Sequence, residues 1–216
     1  MENKHTLYLI GGTARAGKST VASRMGRPDL ISLPIDFIRS IIRNTLVGNA
    51  PINVGKFNFE GIASYGENQS WQIKVDNLSE DELAWRCVRS MIHNYDVANK
   101  HDILFEGVAI TPQEVNALQL NNLVLKVVFL GYNNESHADN IITHAKEAHD
   151  YIYGEMQRSG KGENYVRENI TGDIKRSYEI KEQAECFGYR YFDVTQASSF
   201  EEHVQVVLNY LQKYER

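Results

Sequence analysis

The chain has 216 residues, a formal net charge of −5, 42% hydrophobic residues and 24% charged residues. That length suits one globular domain with a buried core and room for a cap. The acidic balance argues against general nucleic-acid binding, and two distant cysteines, Cys87 and Cys186, argue against a disulfide framework.

The N-terminal residues Met1 to His5 are polar and carry no apolar stretch of signal-peptide character. The longest apolar run, Leu123 to Leu130, is broken by Lys126 and is too short to span a bilayer. The expectation is a cytoplasmic protein with no membrane contact.

Thr6 to Ile10 reads as a first strand, ending at Gly11-Gly12. Gly17 to Met25 reads as the helix behind it, stopped by Gly26-Arg27-Pro28. Leu30 to Ile35 is a second strand, with Pro34 predicting an early end. Asp36 to Val47 follows as a helix, with Phe37, Ile38, Ile41, Ile42 and Leu46 at helical spacing. The stretch 48–78 is rich in Gly and Asn but carries Phe57, Phe59, Tyr65 and Trp71. A loop of that length inside a compact domain is usually functional or disordered. Its aromatic residues favour an insertion that caps the substrate side.

Ser79 to Lys100 reads as a helix, opened by the capping box Ser79-Glu80-Asp81-Glu82. Asp102 to Phe105, Leu123 to Leu130 and Tyr189 to Val194 read as the remaining strands. Glu135 to Gln157 and Glu163 to Phe187 read as two long polar helices. Ser199 to Tyr214 closes the chain with Phe200, Val204, Val207, Leu208 and Leu211 as an apolar stripe. Short apolar runs alternating with helices predict an α/β fold around a parallel sheet.

Gly12-Thr13-Ala14-Arg15-Ala16-Gly17-Lys18-Ser19 matches the pattern of a phosphate-binding P-loop, with Thr20 adjoining. Its setting also fits, with a strand before and a helix after. Glycines let backbone N–H groups close around phosphate oxygens, and the helix N-terminus adds positive potential. Lys18 is the expected ligand of the β- and γ-phosphates, and Ser19 the expected Mg²⁺ ligand. The predicted cofactors are ATP and Mg²⁺.

Asp36 opens the helix after the second strand, and Arg39 and Arg43 share its face. Asp36 fits a base that takes a proton from a substrate hydroxyl, and equally a helix N-cap. The arginines fit a grip on an anionic group, and equally a solvated face. Glu106 ends the third strand, where an acid holds Mg²⁺ through water or simply closes a turn. Gln157 to Gly162 reads as a hinge, and residues 155–176 as a helical lid. Arg158 and Arg176 are its candidate catalytic arginines, although exposed helix charge explains either one. His137, His144 and His149 do not give an i, i+4 ligand pair, so no metal site is expected there. Trp85 is expected to pack rather than stack on a base.

The chain resembles the small-molecule branch of the P-loop kinases, the adenylate-kinase-like group. That group includes chloramphenicol phosphotransferase, zeta toxins and 2-phosphoglycerate kinase. The resemblance rests on Gly12 to Ser19, Pro34-Ile35-Asp36-Phe37, Phe105-Glu106-Gly107-Val108 and Asp173-Ile174-Lys175-Arg176. It implies a single three-layer domain whose five parallel strands run in order 2-3-1-4-5. It also implies Asp36 as base or substrate ligand, and Arg176 as a phosphate contact. The stretch from Gly48 to Asn77 matches none of the group's substrate-binding patterns. The expected reaction moves the γ-phosphate of ATP to a hydroxyl or phosphate of a small metabolite or nucleotide. The alternative is a nucleotide-binding switch or slow ATPase with no small-molecule acceptor.

Overall fold

The computed structural model describes residues 4–47 and 79–213. The predicted insertion 48–78 and the side chain of Arg43 lie outside the described residues. Five parallel strands make one sheet: β1 (Thr6–Gly12), β2 (Leu30–Pro34), β3 (Asp102–Glu106), β4 (Val124–Gly131) and β5 (Arg190–Asp193). Their order is β2-β3-β1-β4-β5, as the resemblance implies. The helices are α1 (Lys18–Arg24), α2 (Ile35–Val47), α3 (Glu80–Ala98), α4 (Pro112–Asn116), α5 (His137–Ala148), α6 (Tyr151–Arg158), α7 (Asn164–Cys186) and α8 (Phe200–Gln212).

The strands are apolar on both faces because helices cover both. Tyr8, Ile10, Leu104, Val128 and Leu130 point to one side and join side chains of α1, α5, α7 and α8. Leu7, Leu9, Ile103, Phe105, Val127 and Phe129 point to the other and join α3, α4 and the far end of α7. This two-residue alternation is the pleat itself. Trp85 packs here, 3% exposed. No helix among the described residues is long and apolar enough to cross a membrane.

Three predicted elements differ. The polar run Glu135 to Gln157 is two helices, α5 and α6, not one. His149 takes a left-handed conformation (φ 48°), and the Asp150 side chain caps the next helix by accepting from Ile152 N and Tyr153 N. Helix α4 was not expected at all. Thr111 caps it, with Pro112 at its first turn. In α2 the spacing predicts an apolar face, but Phe37 is 60% exposed and Ile41 49%. Among the described side chains of that face, Ile38 and Ile42 pack on the core. In α8, Phe200 is 46% exposed and lies against Gly17, while Val204, Val207, Leu208 and Leu211 form the buried stripe. The capping box of α3 forms as read, with Ser79 N donating to Glu82 Oε2 at 2.6 Å.

One buried carboxylate pins β4 to α3. Asp96, 2% exposed, accepts from the backbone N–H groups of Asn121, Asn122 and Leu123 at 3.0, 2.9 and 2.9 Å. Burial alone would raise its pKa, but these N–H donors outweigh it and hold the pKa below 3.8. Asp96→Ala leaves three backbone donors without their acceptor, that of Leu123 buried and the other two part-buried, and is expected to cost about 2–3 kcal/mol in urea unfolding. A depressed carboxyl pKa stabilises the fold above the unfolded value, and that gain is lost as pH falls through the folded one. The stability gap between wild type and Asp96→Asn is therefore expected to shrink in acid, and a gap that widened would contradict this.

Candidate active site

The site gathers at the carboxyl ends of β1, β2 and β3, where ligands bind in open parallel sheets. The loop from Gly12 to Ser19 starts at a glycine whose backbone other residues resist. Gly12 has φ +123°, and Thr13 N donates to Leu130 O at 3.0 Å, tying the loop to β4. Arg15 also takes a left-handed conformation, with φ 62°. Gly17 occupies the N-cap of α1, and no side chain caps that end. The first-turn N–H groups of α1, including those of Ser19 and Thr20, thus have no intrahelical partner, the setting in which helix N-termini accept anions. Ala16, within the loop, is fully buried and packs into the core.

Lys18 is 6% exposed and donates to the Thr13 carbonyl. Burial pushes its pKa from 10.5 down to about 8. Glu106, Asp36 and Asp173 pull it back up, and Arg176 adds to the fall. Four charged residues from three elements, β3, α2 and α7, therefore act on one ammonium.

Ser19 Oγ donates to Glu106 Oε1 at 3.2 Å, so the two predicted metal ligands are neighbours. Glu106 is 4% exposed, and burial raises its carboxyl pKa. Lys18 opposes that rise and Asp36 adds to it. A hydroxyl and a carboxylate are hard oxygen donors of the kind Mg²⁺ takes. The chemistry of the pair fits that ion. Glu106→Gln is expected to raise the half-saturating Mg²⁺ concentration by about 10- to 100-fold while leaving metal-free nucleotide affinity largely intact. A magnesium titration of turnover measures this, and an unchanged midpoint would remove Glu106 from the metal site.

The structure also links the acceptor-side candidates. Asp36, in the first turn of α2 rather than at its N-cap, pairs with Arg39 Nη1 at 3.0 Å. Arg39 Nε lies 3.2 Å from Asp81 Oδ1. Asp81 Oδ2 lies 3.6 Å from Arg176 Nη2, which also donates to the Val108 carbonyl at 2.9 Å. Asp81 thus joins two candidate arginines from α2 and α7. Arg158 is placed differently. It ends α6, is paired with Glu155 one turn back, and its side chain is 65% exposed.

Several residues of this region were not singled out from the sequence. Asp173 accepts from Tyr132 OH at 3.0 Å, and burial raises its carboxyl pKa. Ser177, one turn on, accepts from Tyr132 N at 2.8 Å and lies 3.4 Å from Thr13 Oγ1. Asp173, Arg176 and Ser177 thus present one face of α7 to the loop. Their i, i+3, i+4 spacing was the available signal. Asp81 was hidden inside the capping box.

A glycine-rich loop between strand and helix, a buried lysine within it and a 2-3-1-4-5 sheet define the P-loop nucleoside-triphosphate-binding fold. The chain is similar in structure to shikimate kinase from Bacteroides thetaiotaomicron, with a TM-score of 0.51 and 14% identity. That match covers 96% of this chain and 97% of the other. It also matches APE1195, with a TM-score of 0.47, 12% identity and coverage of 98% and 97%. No protein-family model and no curated protein matches the sequence. At this identity the likeness to shikimate kinase shows the fold alone, a five-stranded parallel sheet with helices on both faces.

Proposed function

We propose that the protein is an ATP-dependent phosphotransferase acting on a small metabolite or nucleotide. The observation that carries this reading is the buried Lys18, flanked by the Ser19–Glu106 pair and by the linked chain Asp36–Arg39–Asp81–Arg176. A nucleotide switch needs the first two features. Two carboxylates and two arginines gathered beside them favour a second substrate.

In this reading the loop from Gly12 to Thr20 binds the triphosphate through its N–H groups and Lys18. Ser19 and Glu106 would hold Mg²⁺, which supplies charge neutralisation on the phosphates. Asp36 takes the proton of the acceptor hydroxyl as that oxygen bonds to the γ-phosphorus. The bond from the γ-phosphorus to its bridging oxygen breaks, and ADP leaves. Where the acceptor is itself a phosphate, Asp36 positions rather than deprotonates. Lys18 and Arg176 meet the charge that builds on the transferred group, which is most of the catalysis in such reactions. Arg39 and Arg43 grip an anionic part of the acceptor. Arg158 joins when residues 155–176 close as a lid over the site. The motif residues Gly12 to Ser19, Pro34 to Phe37, Phe105 to Val108 and Asp173 to Arg176 support a finer kinship with chloramphenicol phosphotransferase, zeta toxins and 2-phosphoglycerate kinase.

The test follows labelled γ-phosphate across a panel of hydroxylated and phosphorylated metabolites. Label on a metabolite is the expected result. Label only in inorganic phosphate, or none released, sinks this reading in favour of the switch. An oligonucleotide that accepts the label would redirect it to nucleic-acid ends.

A further inference from the structure

We propose that Asp150 is a positioning residue that latches the phosphate loop to helix α6 through Arg15, so that nucleotide binding and the placement of α6 are coupled. The inference rests on the reading that this loop binds a nucleoside triphosphate.

Two helices hold Arg15 from two directions. Its guanidinium Nη1 donates to Asp150 Oδ2 at 2.6 Å. Its carbonyl lies 3.2 Å from Nε2 of His137, the first residue of α5. The His137 ring packs on Tyr132 with centroids 4.5 Å apart, at the end of β4. The residue thus fixed is the non-glycine position of the loop in a left-handed conformation, at φ 62°. A side chain disfavours that conformation, so the loop needs outside contacts to keep it.

Asp150 uses both carboxylate oxygens. Oδ1 accepts from Ile152 N at 2.8 Å and Tyr153 N at 3.2 Å, which starts α6. Oδ2 takes Arg15. Burial alone would raise its pKa, but the Arg15 bond and the two N–H donors outweigh it and hold the carboxyl low. The Arg15 and Asp150 side chains are 27% and 21% exposed, so solvent screens the pair only in part. One carboxylate therefore sets the first turn of α6 and a bend of the phosphate loop together. Arg158 stands at the other end of α6, about 12 Å away along the helix. Any shift of Arg15 is delivered to that arginine through a rigid two-turn rod.

Asp150→Asn separates this role from capping. Asparagine caps as well as aspartate, so its oxygen keeps Ile152 and Tyr153. Its amide nitrogen then faces the Arg15 guanidinium, donor against donor. The proteins compared are wild type, Asp150→Asn, Arg15→Gln and the double variant. The measurements are melting temperature, Kd for a non-hydrolysable ATP analogue, and amide exchange across α6 with and without the analogue. The expected Asp150→Asn protein stays folded, melting only slightly below wild type for the loss of a part-buried ion pair, binds the analogue about 10-fold more weakly and loses analogue-induced protection of α6. Adding it to Arg15→Gln costs nothing further. Wild-type affinity in Asp150→Asn, or a loss that simply adds to that of Arg15→Gln, overturns the latch while leaving the nucleotide reading intact. Failure of the wild-type protein to bind the analogue overturns both.

Discussion

Lys18→Ala is expected to lower kcat/KM for ATP turnover by about 10²–10³-fold, the usual effect of removing a donor aimed at charge that develops in the transition state. Lys18 is 6% exposed, so no mobile surface lysine substitutes for it. The melting temperature should move little, because the ammonium is a burden on the empty fold and its loss offsets the lost bond to Thr13. The same group predicts a pH dependence. Burial brings its pKa from 10.5 to about 8 in the folded protein. Between those values the unfolded chain keeps a proton that the empty fold releases, so this group's contribution to stability rises with pH. A bound triphosphate favours the ammonium. Nucleotide binding is therefore expected to take up a proton above about pH 8, and affinity to fall as pH rises further. Calorimetry in buffers of different ionisation enthalpy reads the proton directly. A Kd that stayed flat from neutral pH to about 10 would show that Lys18 does not meet the phosphates.

Gly12→Ala is expected to destabilise the protein by about 4 kcal/mol or more and to abolish nucleotide binding with it. A Cβ there would sit 1.9 Å from Leu130 O and 2.6 Å from Leu130 N, against backbone rather than a yielding side chain. Leu130 O already accepts from Thr13 N, so backing away breaks the bond that anchors the loop to β4. The conformation itself, φ +123°, is one a side chain resists. Gly160→Ala is the control. It also has positive φ, +67°, but nothing lies within 4 Å of its Cβ position. Its cost is expected to be only about 1–2 kcal/mol, the conformational part alone. Urea midpoints compare the two, and equal losses would show that strain rather than collision governs Gly12.

The parts legible in the sequence are those whose causes are local. Each strand announced itself as a short apolar run between turn residues, and Pro34 marked the end of β2 as read. The strand–loop–helix setting of Gly12 to Ser19 was legible because its glycines and lysine are consecutive in the chain. Ser79 and Glu82 were legible as a cap because both partners lie within one turn. The exposure of Phe37 and Ile41 shows where periodicity stops being informative. It gives the face of α2 but not how much of that face the sheet can cover.

What only the tertiary structure decided depends on partners far apart in the chain. The break between α5 and α6 contains neither glycine nor proline. It forms where Asp150 caps a helix and meets Arg15, 135 residues away. Asp81 looked like one acid of a capping box until folding set it between Arg39 and Arg176. Ser19 and Glu106 became a pair only because β3 lies beside β1 in the sheet. A sequence alone determines which groups can bind a phosphate. A charge's partner and its desolvation arise from burial in three dimensions, and these decided which carboxylates and arginines share the site with Lys18.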